Sequence, residues 1–398
     1  EAPKIWQTPY AVIGRANRII EAAESGQLTD AKSKAATIAQ YEAEAKVARA
    51  LAHFDLVRVY GKTYTAPGAP ASYGVPVVNK VLKSDDQLSR NTVQEVYNLV
   101  VQDLTEAIDS EALSTAKLVG YLNEWAAKAL LTRVYLTMGE NQKALDVAED
   151  IIENSPYQLW TNSEYVASWS KMSGTHSKEM IFEIAITGST DWTDREGIAY
   201  LYNEDGYSDI VATQKFLNLL NEDPQDIRQN IFLAPVSDDY KKSYGDNKVY
   251  MNKFPAEGLT DLRYNNVPLF RLSEVYLNAA EAATKLGGSN LTKAAAYLDA
   301  IVNRANPANH VTAADVTLEK VLKERRKELI GEGHRFFDAM RNNETVVRYT
   351  SATDKGWQLN LKEEARSFNR DFYKTLLPIP QEEIDANPTM KDQQNTGY

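Results

Sequence analysis

The sequence predicts a mostly all-α fold, a scaffold of tetratricopeptide-like helix pairs interrupted by a loop-rich insert with short strands. Three observations predict it. Apolar residues recur at helical spacing through about residue 155 and again over about 267–343. Leu131, Tyr135, Gly139, Ala144 and Pro156 fall at the spacing of one tetratricopeptide unit. Between the helical stretches, about residues 156–266, the period weakens, turns multiply and a β-prone run appears, Met180-Ile181-Phe182-Glu183-Ile184. The expected organisation is a single domain over 1–398: scaffold, insert, and an extended segment from about 344 to 398.

Residues 10–60 read as two helices. Ile13, Ala16, Asn17 and Ile20 share a face, and Gly26 follows as a stop. The second, from about Lys34 to Tyr60, carries Ala45, Ala48, Ala52, Leu56 and Val59, small residues that let two helices approach closely, and Gly61 ends it. Pro67, Gly68, Pro70, Gly74 and Pro76 make 62–90 a loop. Thr92 and Glu95 have capping-box spacing ahead of a stripe of Val96, Val100, Leu104 and Ile108. Helices over about 121–138 and 141–153 form the tetratricopeptide pair, with Gly139 as the turn and Pro156 as the stop. A second pair spans about 270–286 and 290–304 around Gly287-Gly288, and a third run, 317–342, contains Leu318, Val321, Leu322 and Leu329. Such pairs must stack on neighbours to bury their faces.

Composition narrows the function. The net charge of −11 argues against nucleic acid, which needs clustered Lys and Arg. There is no Cys, so disulfides, thiolate zinc sites and cysteine nucleophiles are all excluded. No run reaches the 18 or so apolar residues of a membrane helix. The chain opens Glu1-Ala2-Pro3-Lys4-Ile5-Trp6 as though in mid-domain, so we expect that its start has been processed or cut. Tyrosine is abundant, 22 against 10 Phe and 6 Trp, and 155–266 holds 3 Trp, 9 Tyr and 4 Phe. Rings with a polar edge suit wet recognition surfaces, though they also pack between helices.

No catalytic constellation is evident. His53, His176, His310 and His334 include no pair three or four residues apart, so no helical zinc pair exists. Nucleophile elbow, Walker loop and dinucleotide turn are all missing, and no cofactor is expected. Asn203-Glu204-Asp205-Gly206 and Ser237-Asp238-Asp239 lack the full calcium ladder, so no metal is expected either. The densest charge lies in Glu324-Arg325-Arg326-Lys327-Glu328-Leu329, followed by Glu332-Gly333-His334-Arg335-Phe336-Phe337-Asp338 and Arg341. We expect a buried ion network there, with Glu328, Glu332 and Asp338 as arginine partners.

That segment and several others resemble the SusD/RagB family of Bacteroidetes surface glycan-binding lipoproteins. The resembling stretches begin with Trp6…Tyr10…Asn17-Arg18-Ile19-Ile20, then Glu44-Ala45-Lys46…Arg49-Ala50…Phe54-Asp55-Leu56-Val57-Arg58-Val59-Tyr60-Gly61 and Gly74-Val75-Pro76. They continue with Arg271-Leu272-Ser273-Glu274-Val275-Tyr276-Leu277-Asn278-Ala279-Ala280-Glu281-Ala282. The tail adds Leu377-Pro378-Ile379-Pro380…Glu383-Ile384…Asn387-Pro388 and Gln394-Asn395-Thr396-Gly397-Tyr398, with Thr396 where the family usually has proline. The resemblance implies four tetratricopeptide-like pairs and no enzymatic activity. It also implies display on the outer membrane through a lipidated N-terminal cysteine, and delivery of oligosaccharide to a TonB-dependent SusC-like transporter. That cysteine and the family's opening segment, which often lines the ligand site, are absent from this sequence.

The family's ligand contacts vary, so glycan-binding candidates rest on chemistry. Sugar rings stack on Trp and Tyr while polar side chains bond hydroxyls in a shallow wet site. Trp192, flanked by Asp191 and Arg195 in the loop 188–197, is the first choice. Tyr200, Tyr202, Asn203 and Tyr207 follow, with Tyr73 in the proline-rich loop. The alternative is a peptide- or protein-binding helical repeat, and a glycoside hydrolase is a third reading. Exposed aromatics on the insert would favour sugar, and aromatics along the concave helical face would favour peptide.

Overall fold

Helix α1 (Ala2–Glu24) begins earlier than the periodicity indicates and already holds the buried Trp6. It turns Ile13, Ala16, Asn17 and Ile20 inward, and Ala16 and Ile20 meet Ala45 on α2 (Ala35–Tyr60). Helix α2 is buried on more than one face, between α1 and α3 (Val93–Asp109). The capping box of α3 is complete: Glu95 N–H donates to the Thr92 hydroxyl, and Thr92 N–H donates to the Glu95 carboxylate. Helices α4 (Glu124–Met138) and α5 (Asn141–Asn154) form the predicted pair. Gly139 makes their turn at φ 81°, a left-handed conformation that favours glycine.

The insert follows. Strand β1 (Met180–Ile184) leads to the short helices α6 (Ile198–Tyr202) and α7 (Gln214–Leu220), then to β2 (Phe232–Leu233), β3 (Tyr250–Met251) and β4 (Val267–Arg271). β1 pairs antiparallel with β4, and β2 with β3. The second helix pair is α8 (Leu272–Leu286) and α9 (Asn290–Ala305). Then come α10 (Leu318–Glu328), α11 (Arg335–Arg341), the antiparallel pair β5 (Val346–Val347) and β6 (Ser367–Phe368), and α12 (Gln381–Ala386). The computed structural model describes residues 2–28, 34–186, 188, 197–233, 238, 248–255, 262–356, 358 and 360–398.

The helices stack in sequence order: α1 on α2, α2 on α3, α3 on α4, α4 on α5, α5 on α8, α8 on α9 and α10. One continuous core runs through this stack, so each pair buries the face that its neighbour leaves open. The mostly helical, tetratricopeptide-like architecture expected from the sequence is the one observed. The third run differs. Residues 317–342 form two helices, because Gly331 and Gly333 both take φ near 80° and break the rod between α10 and α11.

A second, smaller core lies in the insert: Trp160, Tyr165, Trp169, Met180, Ile231, Met251 and Phe254 pack together, with Trp160 and Trp169 centroids 5.1 Å apart. Most of the insert's described rings are therefore interior. Of them, Tyr207 alone is well exposed.

Candidate functional site

A cleft of about 760 Å³ lies away from the insert. Three parts of the chain wall it. The C-terminal end of α2 and the loop after it supply Arg58, Lys62, Thr63, Ser72 and Tyr73; α11 supplies Phe336, Phe337 and Met340; the tail supplies Arg370, Phe372, Tyr373, Asn395 and Thr396. Phe336, Tyr73 and Tyr373 keep 39%, 51% and 41% of their surface exposed. Rings left that open at a concave surface are unusual unless they meet a partner.

Hydrogen bonds hold the walls together. The Thr65 hydroxyl donates to the Arg341 carbonyl at 2.9 Å, tying the loop to α11. Leu377 N–H donates to the Val59 carbonyl at 3.0 Å, and the Asn395 amide donates to the carbonyls of Tyr60 and Leu377. Arg90 sits behind Tyr73 as a buried hub. Its guanidinium donates to the carbonyls of Tyr60, Tyr73, Gly74 and Gln393 and to the Asn395 side chain, and lies 5.5 Å from the Tyr73 ring centroid. Burial pulls the group down to about 10, so it stays charged at neutral pH while bonded only to neutral acceptors.

The cleft is cationic. Arg58 lies between the rings of Phe54 and Phe337, 4.4 and 4.1 Å from their centroids, and pairs with Asp55 one turn back. Lys62 is exposed, and among the described residues the Arg370 guanidinium reaches only the Thr65 carbonyl, at 3.4 Å. Asp371 is the single carboxylate in the lining.

The sequence-predicted residues divide between two places and a third set outside view. Asp191, Trp192 and Arg195 lie outside the described residues. Tyr200, Tyr202, Asn203 and Tyr207 come together on α6 and the turn that follows. Tyr200 and Tyr207 rings lie 5.6 Å apart, and Tyr207 N–H donates to the Tyr200 carbonyl at 2.7 Å. Tyr202 packs on Phe254 with centroids 5.8 Å apart, and burial raises its hydroxyl pKa. The Asn203 side chain accepts from Asp205 N–H, so it is partly occupied by its own turn. None of these four lines the cleft, whereas Tyr73 does. The exposed rings of the cleft thus lie neither on the insert nor along a helical groove. Sequence reasoning missed Phe336, Phe337, Phe372 and Tyr373 as site residues; their one signal was adjacency, two pairs of neighbouring rings beside Arg335 and Arg370.

The other concentration of charge is a closed network, as expected. Glu328, fully buried, meets Arg271 and Arg304 at 2.7 Å and Arg228 at 3.2 Å. Glu332 bonds Arg271 and Lys253, and Asp338 bonds Arg325 and Arg341. Burial would raise the Glu328 carboxyl, but Arg304, Arg271 and Arg228 hold it well below the usual range. The insert's rings serve this network: Lys253 and Arg271 lie over Trp169, and Arg304 over Tyr165. Its carboxylate and guanidinium groups are spent on one another: the Glu328, Glu332, Arg228 and Arg271 side chains keep 3% or less of their surface. Among the described residues no cluster of three His, Asp or Glu side chains is placed to hold a metal.

Comparison with known proteins supplies the remaining findings. Residues 234–398 match the family model described as the SusD family, and residues 1–136 match one described as starch-binding associating with outer membrane. A SusD superfamily protein from Bacteroides thetaiotaomicron, solved by crystallography, is 38% identical, with a TM-score of 0.86 over 98% of this chain and 84% of that one. A solved laminarin binding SusD-like protein is 26% identical, with a TM-score of 0.71 over 99% of this chain and 86% of that one. A SusD-like protein from Bacteroides ovatus is 23% identical over 84% of this chain, which spans 64% of that relative's length.

Proposed function

The chain belongs to the SusD/RagB family, and on that premise we propose that it captures an oligosaccharide or polysaccharide at the bacterial cell surface. In this reading it catalyses no reaction on the glycan and delivers it to a TonB-dependent SusC-like transporter in the outer membrane. The starch-binding, outer-membrane description of the model matching residues 1–136 supports the place of action, and the laminarin-binding neighbour supports the ligand class.

One observation carries the reading: a broad cleft in which the half-open rings of Tyr73, Phe336 and Tyr373 stand beside amide, hydroxyl and guanidinium donors. Flat ring faces stack on the C–H faces of pyranoses, and the neighbouring donors bond hydroxyls directly or through water. The walls are pinned through Arg90 and Asn395, so little ordering is needed on binding. Trp192, Asp191, Arg195, Tyr200, Tyr202, Asn203 and Tyr207 remain a second candidate surface.

Affinity electrophoresis on a polysaccharide panel tests both. Once a retained glycan is found, Tyr73→Ala and Phe336→Ala should each weaken it about tenfold, the equivalent of roughly 1.4 kcal/mol per lost stacking contact. Full retention in both variants, with loss in Trp192→Ala, would move the site to the insert. Retention of no glycan at all would end the proposal.

A further inference from the structure

The charge of the cleft narrows the ligand class. Resting on the glycan-binding reading above, we infer that the cleft selects acidic oligosaccharides, those bearing uronate carboxylates or sulfate esters, over neutral ones.

The chain as a whole carries −11, yet this cleft is lined by Arg58, Lys62 and Arg370 with Asp371 as its one carboxylate; Arg58 is paired with Asp55 behind it, which leaves Lys62 and Arg370 against Asp371. Among the described residues no carboxylate lies within ion-pair distance of Lys62 or Arg370. Among the described residues the buried cations elsewhere, such as Arg133, Arg228, Arg271, Arg304 and Arg341, have carboxylate partners. The cleft cations are also short of hydrogen bonds. Among the described residues the Nε atoms of Arg58 and Arg370 are buried without an acceptor, and the Arg370 guanidinium reaches a single carbonyl at 3.4 Å. The Arg370 guanidinium, with one long bond to a carbonyl and open aromatic faces beside it, fits a planar carboxylate or a sulfate carried on a stacked sugar.

A neutral glycan would leave these donors to water. An acidic one brings acceptors matched to them while its ring faces cover Tyr73 and Phe336. The long-range field of an acidic chain repels polyanions, so acidic ligands must be won by local contacts within a Debye length, about 10 Å at 0.1 M salt. Binding should therefore be salt-sensitive and confined to this cleft.

The test is calorimetry of the full chain with four probes: oligogalacturonate, a sulfated galactan oligosaccharide, a neutral laminarin oligosaccharide and poly-glutamate. Variants are Lys62→Gln/Arg370→Gln, both side chains being outside the core, and Lys83→Gln as an exposed control away from the cleft. The inference expects one or both acidic sugars to bind at least tenfold tighter than laminarin. That preference should weaken several-fold between 50 and 500 mM NaCl, fall about tenfold in the double variant, and persist in Lys83→Gln. Galacturonate against sulfated galactan tells carboxylate from sulfate recognition. Laminarin binding as tightly as the acidic sugars, unmoved by salt or the double variant, overturns the charge inference and leaves glycan capture standing. Poly-glutamate binding with no sugar binding, or no binding by any probe, overturns both.

Discussion

Glu328 is the residue on which most charge converges. Three guanidiniums surround a carboxylate with no solvent exposure, and each arginine comes from a different segment: Arg228 from the insert, Arg271 from the end of β4, Arg304 from α9. Removing one partner of a buried pair leaves the others uncompensated, which costs far more than losing a surface pair. Glu328→Gln keeps the volume and removes the charge, so it should destabilise by about 3–5 kcal/mol. Lys323→Gln, which loses the exposed contact to Glu222, should cost below about 1 kcal/mol. Urea unfolding of both checks the contrast, and equal shifts would refute it. A second effect at this scale comes from His53 and His334, both held at about 4 mainly by burial. Val78 N–H donates to His53 Nε2, so the neutral ring carries its proton on Nδ1, toward the Arg49 carbonyl. Below the ordinary value near 6.5 the unfolded chain takes up protons that the folded chain refuses. Stability should fall from about pH 6.5 to about pH 4 and level off below, by up to roughly 3 kcal/mol per histidine. His53→Gln should flatten that slope; an unchanged slope would mean that His53 does not titrate in this window.

At the scale of elements, the break between α10 and α11 turns on two glycines in nearly the same conformation but different surroundings. A Cβ on Gly333 would meet nothing within 4 Å, while one on Gly331 would overlap Met251 Cε and lie 3.7 Å from Phe254, both in the insert's core. Gly333→Ala should therefore cost only the left-handed strain, about 1–2 kcal/mol. Gly331→Ala should cost a further 1–3 kcal/mol or so, because Met251 must move within a packed core. Equal losses in thermal unfolding would show that Met251 is displaced freely. These glycines also mark where the sequence was readable. The Thr92–Glu95 cap, the Gly139 turn and the Met180–Ile184 strand are local signals, set by a few adjacent residues, and each matches what forms. The rod over 317–342 was overread, since Leu318, Val321, Leu322 and Leu329 keep the helical period right up to the glycines that end it. The insert's richness in rings said nothing about which way they face: Trp160, Tyr165 and Trp169 turn in to cover buried cations, and no spacing announces that. The cleft was least legible. Its walls meet through contacts such as Asn395 to the Tyr60 carbonyl, 335 residues apart in sequence, and only Tyr73 had a local hint in its proline-rich loop.

At the scale of the whole molecule, the tail closes the stack by returning to its first helices. Tyr398 donates to the Leu376 carbonyl at 3.0 Å, the Gln394 side chain bonds both the N–H and the carbonyl of Ile379, and Arg90 takes the carbonyl of Gln393 at 2.6 Å. Arg90 thereby joins the end of α2, the Tyr73 loop and the tail, so that the front of the cleft and its far wall depend on one side chain. Arg90→Met fills similar space with an apolar chain and leaves several carbonyls without a donor, so it should cost several kcal/mol, at about 1–3 kcal/mol per buried unsatisfied group. The loss should be local. Hydrogen exchange should rise across 370–398 and around Tyr73, while α4, α5 and α8, whose packing does not involve Arg90, keep their protection. Arg90→Lys should fail to restore the tail, because three ammonium donors cannot span acceptors arranged around a planar guanidinium fork. Glycan affinity should drop in both variants even where the fold survives, since the cleft loses a wall. Native-like tail protection in Arg90→Met would mean that Asn395 and Gln394 hold the tail by themselves, and that the wall of the cleft is built independently of the loop it faces.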